Sequence, residues 1–157
     1  MTSRAPMISL AVLGVFALSA CSAAGSSDDA SSGKTGLIEM AVSETCADEV
    51  DSECVSVNGE NVLLPTVFEQ AGVKDSSAAE GGQNAVDVTF DEAGAKVFQT
   101  LTKLTAESGE SARLVIRIGG ELQAAVAVME AVEDDLVRIG LSSEDNAQDV
   151  VDLIEEG

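Results

Sequence analysis

The sequence has no histidine, tryptophan or tyrosine, and only four phenylalanines. Without histidine, neither a Ser-His-Asp nor a Cys-His catalytic arrangement can be assembled, and a histidine-containing zinc site is excluded as well. Beyond the amino-terminal segment the only aromatic side chains are Phe68, Phe90 and Phe98. Three rings are too few for the stacking platforms that bind bases or sugars, and all three are expected in the core. Basic residues are also scarce, with 8 Lys plus Arg against 28 Asp plus Glu and a formal net charge of −20. A surface this negative repels the phosphates of nucleic acid and anionic lipid headgroups. No nucleic-acid partner and no cofactor are expected.

What is present at the amino terminus is a signal-peptide layout. Arg4 is followed by an apolar run from Ala5 to about Ala17, then by Leu18-Ser19-Ala20-Cys21. The run is shorter than the roughly 20 residues a membrane span needs, so residues 1–20 are expected to be removed. The cysteine directly after Leu-Ser-Ala resembles the bacterial lipobox. That resemblance implies a diacylglyceryl group on Cys21, cleavage before it, and anchoring to the lipid bilayer at the extracytoplasmic face of the cell membrane. Two acyl chains hold a protein stably where one does so only marginally. Residues 21–36 are almost wholly Ser, Ala, Gly and Asp, a composition that cannot bury a core. They read as a flexible tether with a reach on the order of 20 Å. Residues 37–157 are long enough for one domain and too short for two.

With Cys21 lipidated, Cys46 and Cys54 are left as an even pair in an oxidising compartment. They are expected to form a disulfide. Closing so short a loop stabilises the fold by about 2.5 kcal/mol on the chain-entropy model.

The domain reads as α+β. Residues 85–90 alternate, with Val86, Val88 and Phe90 on one face of a strand, and Asp91 is placed to cap a helix whose stripe is Gly94, Val97, Phe98, Leu101 and Leu104. Lys96, Gln99 and Lys103 point to water in that reading. Residues 113–118 and 121–128 alternate around Gly119-Gly120, a hairpin signal. Leu114, Ile116 and Ile118 share a face either with Leu122, Ala124, Val126 and Val128 or with their alternates, depending on register. An acidic turn over 130–135 leads to a strand at 136–141. Ser142 or Ser143 then caps a last helix carrying Ala147, Val150, Val151 and Ile154. Sequence neighbours of this kind pair antiparallel, with the helices packed on one face of the sheet. In the earlier part, strands are expected near 37–42 and 61–64, with a short element over 65–71. Gly81-Gly82 and Gly119-Gly120 lack the strand-to-helix context of a phosphate-binding loop and read as turns.

Ordered landmarks across 86–157 resemble the head subdomain of the large extracytoplasmic region of SecD and SecDF. They are Phe90-Asp91-Glu92-Ala93-Gly94-Ala95-Lys96-Val97-Phe98 with Thr102; Leu114-Val115-Ile116-Arg117-Ile118-Gly119-Gly120-Glu121-Leu122; and Ile139-Gly140-Leu141-Ser142 followed by Glu144 and Ala147. Ala125 stands where that family usually has Pro and Gly120 where it has the turn Asp, so the bend after the second hairpin strand is expected to differ. The resemblance implies an antiparallel sheet with helices on one face and a part in protein export. In that family the head engages emerging polypeptide while carboxylates on membrane helices couple proton flow to movement. This sequence offers no counterpart to those helices after its leader, so the implied role is accessory.

Three functional expectations follow. The first is a non-enzymatic binding module contacting polypeptide or an envelope protein. The second is calcium binding by Asp48, Glu49, Asp51 and Glu53 or by Glu130, Glu133, Asp134 and Asp135, although neither cluster has EF-hand spacing. The third, hydrolysis by paired carboxylates, requires two acids held in a cleft. Arg113, Arg117 and Arg138 on predicted strands either form a basic patch or offset neighbouring acids.

Overall fold

The computed structural model describes residues 36–47 and 53–157. The elements in chain order are β1 (Gly36–Glu44), β2 (Cys54–Val57), β3 (Glu60–Leu63), β4 (Glu69–Ala78), β5 (Ala85–Phe90), α1 (Glu92–Glu107), β6 (Ala112–Ile118), β7 (Glu121–Val126), β8 (Leu136–Gly140) and α2 (Ala147–Glu156). Six strands form one sheet in the order β7-β6-β1-β4-β5-β8, and β2 and β3 form a separate hairpin. Every pairing is antiparallel. The fold is α+β, as expected.

Side-chain alternation divides the sheet into two faces. Ile38, Met40, Val73, Val86, Val88, Phe90, Leu114, Ile116 and Ile139 meet Phe98 and Leu101 of α1 and Val150, Val151 and Ile154 of α2 in one core. On the opposite face the β2-β3 hairpin contributes Val57 and Val62 to a smaller cluster with Val115 and Ala125. The sequence reading anticipated the first layer and not the second.

Several boundaries differ from expectation. Gly36, placed at the end of the tether, is the first residue of β1 and pairs with Val73. A Cβ there would fall 2.4 Å from the Ile154 carbonyl oxygen, so α2 lies directly on this glycine. The short element expected over 65–71 is a ten-residue strand starting at Glu69. Gly72, Lys74 and Asp75 are residue types that strands disfavour, but β1 and β5 pair with it from both sides and context prevails. The strand expected near 61–64 is β3, and its partner β2 was not anticipated.

Asp91 caps α1 as expected, its Oδ1 accepting from the Gly94 amide at 2.7 Å. The buried stripe, however, is Gly94, Ala95, Phe98, Leu101, Thr102 and Thr105, and Leu104 is exposed. Thr102 and Thr105 can turn inward because each hydroxyl donates to a helix carbonyl, Gln99 O and Leu101 O respectively. The last helix is capped by Asn146 rather than by Ser142 or Ser143, the Asn146 side chain accepting from the Gln148 amide. Ser142 instead donates from its amide and hydroxyl to the Asp145 carboxylate and forms a turn before the helix. Phe90 and Phe98 stack in the core at 5.1 Å, while Phe68 is only half-buried and lies on the hairpin face.

The register left open by the sequence is settled by a bulge. Ile116 pairs with Ala124 and Arg117 with Leu122, leaving Gln123 as the extra residue. Ala124 therefore faces the helices with Leu114 and Ile116, whereas Leu122 faces the hairpin. β8 does not join its sequence neighbour β7. It pairs with β5 at the other edge, and the 127–135 segment connects the two edges.

Candidate functional site

That crossing segment forms one wall of an apolar cleft of about 340 Å³. Ala124 and Val126 of β7, Val137 and Ile139 of β8, Phe98 of α1 and Met129 of the segment line it. β7 and β8 are the two edges of the sheet. One cleft is thus lined by both terminal strands of the six-stranded sheet.

The segment is fastened to the rest of the domain by three hydrogen bonds. The Val132 amide donates to Thr102 Oγ1 at 3.2 Å, Gln99 Nε2 donates to the Glu133 carbonyl at 2.7 Å, and the Phe90 amide donates to the Asp135 carbonyl at 2.8 Å. The Thr102 hydroxyl, a polar group in the cleft lining, is therefore engaged on both its donor and acceptor sides. What the cleft presents to a ligand is hydrocarbon. At its mouth Met129 is 87% exposed and Val126 41%.

Two charged residues belong to the lining, Glu130 and Arg138. Arg138 is bound bidentately by Asp87, Nε to Oδ1 at 2.6 Å and Nη2 to Oδ2 at 2.8 Å, with Nη1 donating to Gln83 Oε1. Its hydrogen bond holds the Asp87 carboxyl below the usual range and raises the guanidinium in turn. Glu130 is exposed and is the cleft's sole carboxylate, so the cleft does not hold the acid pair that hydrolysis would need.

The other strand arginines also offset acids rather than forming a basic patch. Arg117 binds Glu39 through Nε and Nη2 at 2.8 and 2.9 Å and lies 3.8 Å from the centroid of the Phe68 ring. That hydrogen bond lowers the Glu39 pKa. Arg113 donates to Glu60 and to the carbonyls of Glu110 and Ala112.

Cys46 and Cys54 are joined in a disulfide with a Cα–Cα distance of 6.0 Å, which fastens the chain after β1 to the start of β2. Cys21 lies outside the described residues, as do Asp48, Glu49 and Asp51. Glu130, Glu133, Asp134 and Asp135 are all exposed on the crossing segment, and among the described residues no three His, Cys, Asp or Glu side chains converge to hold a metal ion. No helix among the described residues is long and apolar enough to cross a membrane.

The cleft itself escaped the sequence reading. Its lining comes from strands at opposite edges of the sheet, and only the unexpected placement of β8 brings them together. No family model, no curated protein and no solved structure matches this chain.

Proposed function

We propose that this chain is a lipoprotein held at the extracytoplasmic face of the cell membrane by acylated Cys21, and that its domain binds polypeptide without enzymatic chemistry. The partner is a chain in transit or another envelope protein. The resemblance of 86–157 to the SecD and SecDF head favours a role accessory to protein export.

The observation that carries the reading is the apolar cleft lined by both terminal strands of the sheet. A free edge adds a partner's strand through main-chain hydrogen bonds, and an adjoining pocket takes its alternate side chains. A disulfide in the domain fits an oxidising compartment.

Two measurements test this. Mass spectrometry of the protein from cell envelopes is expected to find Cys21 as the first residue, carrying acyl chains; an unmodified thiol or a retained leader rules out the anchor. A photo-crosslinking residue at position 129 is expected to capture polypeptide in intact cells. If the only adducts are lipid or none form, the polypeptide reading is wrong.

A further inference from the structure

Building on the polypeptide reading, we infer that the cleft selects an extended apolar segment flanked by Lys or Arg. The cleft's form sets the first requirement. Its lining is hydrocarbon apart from Glu130 and the paired Arg138, and its threonine hydroxyl is already engaged, so polar side chains entering its apolar part would lose hydration without replacement. A bound main chain is different, because β7 and β8 are the terminal strands of the sheet beside the same cleft, with the Gln123 carbonyl of β7 already accepting from Asn58 Nδ2. Extended backbone is therefore accommodated where its apolar side chains are.

Charge sets the second requirement. The segment that walls the cleft carries Glu130, Glu133, Asp134 and Asp135, all exposed, and no basic residue. The charge of Arg138 at the rim is matched by Asp87. Of the four acids Glu130 belongs to the cleft lining and the other three follow it on the same segment, so the wall itself is negative, on a chain whose net charge is −20. Basic residues on either side of an apolar stretch would meet these carboxylates, while acidic flanks would be repelled.

The test is binding of short labelled peptides to the intact purified chain, read by fluorescence anisotropy at low ionic strength. One apolar core is compared with Lys, Gln and Glu flanks. Two variants accompany it. One is Val126→Gln with Met129→Gln, and the other is Glu130→Gln, Glu133→Gln, Asp134→Asn and Asp135→Asn; each position is exposed, and thermal unfolding verifies that both variants fold.

The Lys-flanked peptide is expected to bind about tenfold tighter than the Glu-flanked one, a preference that added salt weakens. Neutralising the four acids should abolish that preference. The Val126 and Met129 replacements should weaken all three peptides about tenfold. If peptides bind but neither variant changes anything, the cleft is not the site, although polypeptide binding stands. If no peptide binds, both proposals fall. Binding of a single-chain detergent below its micellar concentration, lost in the Val126/Met129 variant, would then assign the cleft to hydrocarbon chains.

Discussion

Gly72 and Gly94 are in backbone contact: a Cβ added to Gly94 would lie 2.2 Å from the Gly72 carbonyl oxygen. This contact seats the first turn of α1 on β4. The Asp91 amide donates to the same carbonyl at 2.9 Å, and a Cβ on Gly72 would strike the Asp91 carboxylate. The strand, the helix cap and the first helical turn are thus locked through two positions that tolerate no side chain.

Gly94→Ala is accordingly expected to destabilise the domain. In an ordinary helix interior the change gains up to about 1 kcal/mol from propensity. Here the obstacle is backbone, which cannot rotate away, and overpacking of this kind costs about 1–3 kcal/mol. Denaturant midpoints decide the balance, and a variant more stable than the parent contradicts the contact.

The Glu39–Arg117 pair makes stability depend on pH. Arg117 holds the Glu39 carboxyl below its ordinary value of 4.5, so the unfolded chain takes up the proton first as pH falls. The contribution is present in full above about pH 4.5 and is lost as pH drops through the lower folded value. Replacing Glu39 by Gln should cost about 1 kcal/mol at pH 7, given partial solvent screening, and close to nothing at pH 2. Relief of repulsion among the other acidic residues acts on parent and variant alike, so their difference reports on Glu39 and its partner. An equal gap at both pH values refutes the assignment.

Reduction of Cys46–Cys54, or Cys46→Ser with Cys54→Ser, is expected to lower stability by about 2.5 kcal/mol. Because four buried residues form the hairpin's cluster, loosening should begin there. Hydrogen exchange of Val55, Val57 and Val62 should accelerate while Ile38 and Val88 keep their protection. Uniform acceleration across both faces would show that the hairpin does not open separately.

Thr102→Val retains the shape and removes the hydroxyl that receives the Val132 amide. A loss of about 1 kcal/mol is expected, with faster exchange at Val132 and no change at Val86. Thr102→Ser should restore most of the protection. Unaltered exchange at Val132 in the valine variant means that this hydroxyl does not hold the crossing segment.

Much of the fold was legible locally. The Asp91 cap, the alternation of β5 and β6 and the Gly119-Gly120 turn, with both glycines at positive φ, each need only neighbouring residues to specify them. The β2-β3 hairpin also had a local signal, Asn58-Gly59 between alternating valines, and both turn residues adopt positive φ. β4 had none, since only Ala71 and Val73 of its side chains are buried and its strand conformation depends on partners distant in sequence.

The sequence by itself determined an α+β chain without histidine chemistry and a strongly acidic surface, because composition and short-range periodicity suffice for these, while the Cys46–Cys54 pairing was reached through the expectation that Cys21 is lipidated. Tertiary structure alone decided that Gln123 bulges, that β8 joins β5 instead of β7, and that an apolar cleft lies between the two sheet edges. Those outcomes follow from pairing and packing between residues far apart in the chain, and no local pattern records which partner a strand will meet.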